Sequence, residues 1–264
     1  MTDEILNETL FCLITRPAHQ AELLNQMLTQ AGLSVLNFPT IGINPSPATP
    51  FLQKLQNTIE QYDIALFVSR NAVDFTFKHL KSNSLPKKLE LGVIGKGTWQ
   101  ALKNQGVASH IIPTESYNSE GLLASKALQH VKAKNIIIFR GQQGRNLLGD
   151  TLRKRGATIH YQEVYRRVLP DYEPEAFEKL TTAHFPDIAI FTSAEGLTNC
   201  FQLVSKTMAS SLCQIPWLLI SERMRETAGK LGHNANIIIA DSASDEGIFQ
   251  ALQKWKQTKK NHHS

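Results

Sequence analysis

The sequence lacks the features that mark several large classes of protein. Its 264 residues include only three cysteines, Cys12, Cys200 and Cys213, which are widely spaced and form no Cys-x-x-Cys pair. Such cysteines indicate neither a disulfide framework nor a zinc site, and we interpret them as packing or surface thiols. No apolar run reaches the roughly 18 to 20 residues that span a bilayer, and residues 1–4 are acidic, unlike a signal peptide. We therefore expect a soluble, cytoplasmic protein that does not contact a membrane.

The common cofactor-binding and hydrolase motifs are also missing. The sequence contains no Gly-x-x-x-x-Gly-Lys-Ser/Thr, no Gly-x-Gly-x-x-Gly after a strand, no Gly-x-Ser-x-Gly, no His-x-x-x-His and no acidic cluster of the metal-binding type. The segment 141–145, Gly-Gln-Gln-Gly-Arg, resembles a phosphate-binding loop but matches none of these patterns. We therefore predict that the protein uses neither a cofactor nor a metal. The net charge of +5 suits an anionic small molecule at least as well as a nucleic acid.

What is present is the pattern of an α/β protein. The composition, 42% hydrophobic and 19% charged, is that of a globular protein, and 264 residues exceed one domain of roughly 100 to 200 residues. Short apolar runs alternate with helical patterns, and such continuous runs are typical of parallel strands covered by helices on both faces. The runs predict strands at Phe11–Thr15, Ile64–Ser69, Leu91–Gly95, Ile111–Pro113, Ile136–Arg140, Ile188–Ser193, Trp217–Ser221 and Ile237–Ala240.

The two halves of the sequence repeat each other. Arg140 follows Arg16 by 124 residues, and the segment 187–193 follows 63–69 by the same 124, with five of seven positions identical. Further on, Ser-Glu-Gly-Leu at 119–122 corresponds to Asp-Glu-Gly-Ile at 245–248, 126 residues later. A nearly constant offset through helix, turn and strand indicates an internal duplication.

The predicted domains are not the two halves of the repeat. The extended segments Val35–Ile43 and Thr158–Val168 occupy corresponding positions, and each is long for one strand with no obvious hairpin turn. We interpret them as paired linkers. This predicts a discontinuous domain of residues 1–36 and 170–264, an inserted domain of residues 42–166, and linkers near 37–41 and 167–169, with a cleft beside the resulting hinge.

Candidate site residues follow the carboxyl ends of the predicted strands. Ligands of parallel sheets collect at this edge, where helix N-termini present unpaired backbone N–H groups. Most of these residues are small, so helix capping is the competing interpretation for each of them. The candidates are Thr15, Arg16, Ser69, Asn71, Gly95, Thr98, Asn118, Ser119, Arg140, Gly141, Thr192, Ser193, Ser221 and Arg223.

Three side chains stand out chemically. Arg16 and Arg140, related by the repeat, have forked donors suited to carboxylates, although either could be a surface charge. Tyr165 lies on the second linker, where its phenol could act as a donor or weak acid in the cleft. The competing interpretation of Tyr165 is an aromatic side chain that fills the hinge.

An ordered set of short segments extends over nearly the whole chain. The segments are Ile14-Thr15-Arg16-Pro17, Phe67–Val73, Val93-Ile94-Gly95 with Thr98, Tyr117–Leu123, Arg140-Gly141 with Gly144-Arg145, Arg155-Gly156-Ala157, Glu163-x-Tyr165, Phe191-Thr192-Ser193 and Ile220–Arg223. Taken in this order, they resemble the uroporphyrinogen-III synthase family. One departure is Trp99, where the family often has a small residue after the threonine.

The resemblance implies two flavodoxin-like doubly wound parallel-sheet domains of the α/β class, joined by a two-stranded linker. It also implies the reaction, in which the linear tetrapyrrole hydroxymethylbilane loses water and closes to uroporphyrinogen III through a spiro intermediate that inverts the last ring. Tyr165 is the family-matching candidate for the acid, and the other candidates would bind the polycarboxylate substrate. We further expect a monomer with no nucleic-acid partner.

Other functions remain open from the residues alone. Two similar lobes also describe a binding module that closes on a small anion without chemistry, although most such proteins carry an export signal. A glycosyl or phosphoryl transferase with paired lobes is a second alternative, and a nucleic-acid-binding protein with salt-dependent affinity is a third.

Overall fold

The computed structural model describes residues 9–47 and 49–261. The acidic residues 1–4, which entered the prediction of a cytoplasmic protein, lie outside this range. Within it, no helix is both long enough and apolar enough to cross a membrane.

Strands and helices alternate along the described chain, as the apolar pattern predicts. The elements are β1 (Phe11–Ile14), α1 (Ala18–Gln30), β2 (Ser34–Asn37), β3 (Gly42–Pro45), α2 (Thr49–Thr58), β4 (Ile64–Phe67), α3 (Arg70–Phe77), β5 (Glu90–Val93), α4 (Lys96–Asn104), α5 (Ser119–Ala124), β6 (Asn135–Gly141), α6 (Leu147–Lys154), β7 (Thr158–Val168), α7 (Ala176–Thr181), β8 (Ile188–Phe191), α8 (Ala194–Leu203), α9 (Lys206–Gln214), β9 (Trp217–Leu219), α10 (Met224–Lys230), β10 (Ile237–Ile239) and α11 (Asp245–Asn261).

The chain divides into two compact units. Unit 1 comprises Met1–Gly42 and Val168–Ser264, and unit 2 comprises Ile43–Arg167. The linkers suggested by the sequence, near residues 37–41 and 167–169, stay predictions.

Unit 1 contains a parallel sheet with the strand order β2-β1-β8-β9-β10. This is the flavodoxin order, in which the chain winds first one way and then the other from its central strand. Side chains alternate between two apolar layers: Cys12 and Ile14 of β1 face one layer, and Leu13 faces the other. Both faces are therefore buried, which explains why the strands are continuously apolar.

Unit 2 contains a second sheet with the order β3-β7-β6-β4-β5. Strands β7, β6, β4 and β5 pair in parallel, and Ile111 extends this series through a parallel bridge to Gly92. Here too the strands separate two apolar layers, with Ile64 and Leu66 on one side of β4 and Ala65 and Phe67 on the other.

Each sheet takes strands from both halves of the sequence repeat. Strands β1 and β2 of the first half share a sheet with β8 to β10 of the second half, whereas β6 and β7 of the second half share a sheet with β4 and β5 of the first. The repeat extends to the helix ends, because Gly32 after α1 and Gly156 after α6, 124 residues apart, both have positive φ, 75° and 89°. The two sheets are thus built from corresponding elements, exchanged between the halves.

The α/β fold class with two parallel sheets is confirmed, and three predicted segments differ from the structure in detail. Thr158–Val168, interpreted as one of two paired linkers, forms a single 11-residue strand that pairs with β6 in the second sheet. The extended segment predicted at Val35–Ile43 is interrupted after Asn37, and β3 begins at Gly42. Ile111–Pro113 forms only one bridge, consistent with the missing N–H of Pro113.

All three cysteines are buried, which agrees with the first of the two interpretations, packing or surface thiols. Burial raises the pKa of the Cys12 thiol to about 12, with Asp187 adding to the effect. Burial likewise raises the pKa of Cys200 to about 12. Both thiols are therefore protonated at neutral pH and unreactive.

Candidate functional site

The carboxyl edge of the second sheet carries a pocket of about 380 Å³. Its walls come from the ends of β4, β5 and β6, the loop after β6, the start of α5, and β7. In the lining that the structure describes there are three arginines and no Asp or Glu. The lining residues are Val68, Ser69, Ile94, Asn118, Ser119, Ile138, Arg140, Gly141, Gln142, Gln143, Gly144, Arg145, Leu148, Tyr161, Tyr165 and Arg167.

Arg140 is held rigidly in this pocket. Its side chain is 10% exposed, its Nη1 donates to Asn146 Oδ1 at 3.0 Å, and its Nη2 lies 3.8 Å from Glu163 Oε1. The guanidinium carbon also lies 4.4 Å from the centroid of the Tyr161 ring, in cation–π geometry. At 3.8 Å the pair with Glu163 is longer than a hydrogen bond, so donors of the guanidinium remain for a ligand.

Tyr165 joins the pocket to the apolar core. It is 6% exposed, and its phenol oxygen accepts a hydrogen bond from Ser69 Oγ at 3.2 Å. Ser69 in turn accepts from the N–H of Ala72 at 3.0 Å and so caps α3. Because Ser69 donates to the phenol oxygen, the hydrogen of the phenol can point into the pocket.

Gly141 makes room for this tyrosine. The register of β6 against β7 shifts between Arg140 and Gly141, which places Tyr165 opposite Gly141. A Cβ atom on Gly141 would lie 2.7 Å from Cζ of the Tyr165 ring. The bulge and the glycine together position the phenol at the sheet edge.

The other predicted residues of unit 2 are divided between the pocket and the supporting structure. Asn118 and Ser119 line the pocket, and Asn118 rather than Ser119 caps α5 by accepting from Gly121 N–H at 2.8 Å. Asn71 and Thr98 are buried within α3 and α4 and are not among the lining residues. Gly95 precedes α4 in extended conformation, also outside the lining.

In unit 1 most of the predicted residues form hydrogen bonds or ion pairs with other residues of unit 1. The Thr15 hydroxyl donates to Ile190 O at 3.0 Å. Arg16 forms an ion pair with Asp245 in which the side chains are only 13% and 17% exposed. Its remaining donors reach Thr192 Oγ1 at 3.4 Å, together with the carbonyl oxygens of Gln20 and Ala243.

The last predicted residues lie at helix starts of unit 1. Ser193 caps α8 by accepting from Gly196 N–H at 2.9 Å, the same role that Ser69 has in unit 2. Ser221 precedes α10 and accepts from Met224 N–H through its backbone oxygen at 3.1 Å. Arg223 is exposed at the start of the same helix. The substrate-binding roles of these residues stay predictions.

Several pocket residues were not among the candidates. Gln142, Gln143, Gly144 and Arg145 belong to the loop whose resemblance to an anion-binding loop was noted and then set aside. Tyr161 and Arg167 lie on β7, which was interpreted as a linker, so their position beside β6 was not foreseen. Recognising β7 as a neighbour of β6 would have placed Tyr161 beside the strand that carries Arg140, and Arg167 at the same edge of the sheet.

Within residues 9–47 and 49–261, no group of three His, Cys, Asp or Glu side chains is arranged to bind a metal. What the pocket offers instead is positive charge, hydroxyl groups and amides. Such a lining suits carboxylates, which accept charge-assisted hydrogen bonds from arginine. The prediction of an activity without cofactor or metal stays a prediction.

A family model and curated relatives that match this chain name the same family. The family model of uroporphyrinogen-III synthase HemD matches residues 22–250. The uroporphyrinogen-III synthase of Escherichia coli K12 is 30% identical over 244 residues, which cover 91% of this chain and 99% of that protein.

Solved structures share the fold. A mutant uroporphyrinogen III synthase of the extreme thermophile Thermus thermophilus superposes with a TM-score of 0.59 at 17% identity, covering 96% of this chain and all of that one. The synthetase of Helicobacter pylori 26695 gives 0.58 at 14% identity, covering 94% and 100%. From the family model and the full-length relative together, the chain belongs to the uroporphyrinogen-III synthase family.

Proposed function

We propose that this protein is a uroporphyrinogen-III synthase, which converts hydroxymethylbilane into uroporphyrinogen III with loss of water. The observation that carries the proposal is the match to the family over residues 22–250, together with a relative of that name aligned over 99% of its length. The pocket of unit 2 supports it chemically, because its three arginines suit a substrate with eight carboxylates.

The pocket binds one part of the substrate. Arg140, Arg145 and Arg167 contact its carboxylates, and the Ser69 and Ser119 hydroxyls contact its polar groups. Its volume of about 380 Å³ falls in the range of small-molecule sites, roughly 300 to 1,000 Å³. The remaining predicted contacts are Thr15, Arg16, Asn71, Gly95, Thr98, Asn118, Gly141, Thr192, Ser193, Ser221 and Arg223.

Tyr165 supplies the proton that the leaving hydroxyl group needs. The hydroxyl departs as water and leaves an azafulvene cation. The hydrogen bond from Ser69 to the phenol oxygen, 3.2 Å long, stabilises the negative charge that forms when the phenol gives up its proton. The far ring then attacks through its substituted carbon, and the spiro intermediate breaks and recloses with that ring inverted. The proton released on reclosure restores the phenol.

Most of the rate enhancement comes from ordering the substrate. A linear tetrapyrrole is flexible, and holding its ends near the spiro geometry removes entropy before the chemical step, an effect worth up to roughly 7 to 11 kcal/mol. The arginines are suited to this task because their forked donors fix both the position and the direction of a carboxylate.

An isomer assay tests the proposal. The purified protein is incubated with hydroxymethylbilane, and the product is oxidised and separated by chromatography. We expect the type III isomer. If only the type I ring appears, as it does by spontaneous closure, the chain is a binding module or has another activity.

We also propose that the protein acts in the cytoplasm as a monomer, without a membrane or nucleic-acid partner. Sedimentation velocity over a hundredfold range of concentration tests the oligomeric state. A concentration-dependent second species would contradict it.

A further inference from the structure

The edge of the sheet in unit 1 repeats the local structure of the pocket edge in unit 2. Asn118 caps α5 by accepting from Gly121 N–H at 2.8 Å, and Ser244 accepts from Gly247 N–H at 3.1 Å at the start of α11. Each pair of corresponding residues is 126 positions apart. The two helix starts therefore have equivalent geometry, and the residue after the cap occupies the same place in each.

That residue differs between the units in charge. It is Asp245 in unit 1 and Ser119 in unit 2. The Asp245 carboxylate binds Arg16, and both side chains are largely buried, at 17% and 13% exposure. Arg16 is in turn the repeat counterpart of Arg140. Unit 1 thus contains its own carboxylate, bound to the arginine that follows its first strand.

In unit 2 the arginine is present but this carboxylate is not. Arg140 and Ser119 line the same pocket. Arg140 is turned toward Asn146 and Glu163, and its contact with Glu163 is 3.8 Å, so its charge is only partly compensated. Arg145, which is exposed at the same pocket, adds a second positive charge.

We infer that a carboxylate of the substrate binds between Ser119 and Arg140, in the position that Asp245 occupies against Arg16 in unit 1. Arg140 donates charge-assisted hydrogen bonds to it, and the Ser119 hydroxyl donates a further one. The inference rests on the proposed function, which supplies a polycarboxylate substrate, and it adds where one of the carboxylates binds.

Placing an aspartate at position 119, where unit 1 has Asp245 at the corresponding position, tests this subsite. Ser119→Asp introduces in unit 2 the carboxylate that unit 1 already has, so it competes with the substrate for Arg140. Ser119→Asn is the neutral comparison of nearly the same shape. We expect the KM for hydroxymethylbilane to be about tenfold or more higher for Ser119→Asp than for Ser119→Asn, with a much smaller difference in kcat.

A matched control separates the subsite from net charge. Thr114→Asp adds the same charge at an exposed position of unit 2 outside the pocket lining. We expect its KM to stay within about twofold of the wild type, because a solvent-exposed charge outside the pocket lining is screened. Thermal melting of all variants shows whether they are folded.

Arg140→Gln provides an independent measurement. We expect it to raise KM by about tenfold, and the double variant with Ser119→Asp to add little, because the two changes remove the same interaction. If Ser119→Asp does not fold, an unchanged KM in Arg140→Gln alone overturns the inference.

The possible results are distinguishable. If the wild type forms the type III isomer but Ser119→Asp and Ser119→Asn share one KM, the subsite is wrong and the proposed function stands. If the wild type forms no type III isomer, the proposed function fails and the subsite fails with it.

Discussion

At the scale of single residues, the pocket depends on a tyrosine held between a hydrogen bond and a glycine. Ser69 fixes the phenol oxygen of Tyr165, and Gly141 leaves the space that its ring fills. The ring also packs 6.0 Å from Phe75, within the apolar layer. Tyr165 therefore packs in an apolar core and also lines the pocket, and its role as the acid stays a prediction.

Tyr165→Phe tests whether the phenol takes part in the reaction. The change removes the phenol but keeps the ring, so we expect kcat to fall by about 100-fold, the lower range for loss of a general acid, with little change in KM. Tyr62→Phe is the matched control, because it also removes a buried phenol of unit 2, one hydrogen-bonded to His160 at 3.0 Å and absent from the pocket lining. Equal kcat in the two variants would exclude Tyr165 as the acid.

Gly141→Ala tests whether the absence of a side chain at position 141 makes room for the Tyr165 ring. The added Cβ would meet the Tyr165 ring at 2.7 Å, so the ring or the strand must shift. We expect a loss of about 1 to 3 kcal/mol in the free energy of unfolding and a lower kcat. Gly229→Ala is the comparison, since nothing lies within 4 Å of the position that its new methyl group would occupy, and α10 should gain up to about 1 kcal/mol. Similar melting temperatures for both variants would contradict the steric argument.

The candidates that line the pocket include residues at the carboxyl ends of strands with a clear apolar pattern. Ser69 follows β4 and Arg140 lies in β6, and both are in the pocket lining. Tyr161 and Arg167 could not be placed, because their position depends on which strand neighbours β7. The register shift at Arg140 and Gly141 is likewise a property of paired strands, and no local pattern of residues specifies it.

At the scale of elements, contacts of Trp217 and His233 connect the start of β9 to its neighbouring segments. The side chain of Trp217 in β9 donates to Leu212 O at 2.8 Å, and its ring lies 3.9 Å from the imidazole of His233. His233 Nε2 contacts Ile215 O at 3.1 Å, just before the same strand. Burial lowers the pKa of His233, although the hydrogen bond to Ile215 opposes the shift.

A dependence of stability on pH follows from this histidine. Because its pKa is lower in the folded protein than the ordinary 6.5, the unfolded chain binds the proton more readily, and stability is lost as pH falls below about 6.5. We expect the difference in melting temperature between pH 7.5 and pH 5 to be smaller in His233→Gln than in the wild type. An identical difference in both proteins would show that groups other than His233 cause the loss of stability at acid pH.

The elements themselves were predicted well where burial on both faces makes a strand apolar throughout. The central strands β1, β4, β6 and β8 all fall within the apolar runs identified in the sequence to within a residue or two at their ends. The strand β7 was interpreted as a linker because it is long for a single strand and has no obvious hairpin turn, so its pairing with β6 was not predicted. Its neighbours β3 and β6 decide its structure, and such long-range pairing is not visible locally.

At the scale of the whole molecule, unit 2 is continuous in sequence. Its sheet and both of its apolar layers lie within residues 42–168. A compact unit with its own core meets the requirement for independent folding. We therefore expect residues 43–167, produced alone, to unfold in a single cooperative transition.

Thermal denaturation followed by near- and far-UV circular dichroism measures this. Coincident transitions indicate a folded domain, whereas the absence of near-UV signal would mean that the fragment lacks fixed packing. The rest of the chain is not a matched fragment, because unit 1 is discontinuous and would need a new connection between Gly42 and Val168.

The exchange of strands between the halves constrains the origin of the molecule. A chain cut near residue 125 would give two fragments, each with two neighbouring strands of one sheet and the remainder of the other, so neither could close a sheet by itself. An ancestor of half this length could have reached the same architecture only as an intertwined pair of identical chains, each completing the other. Gene fusion would then have converted a concentration-dependent assembly into a single polypeptide, and afterwards allowed Asp245 and Ser119 to diverge.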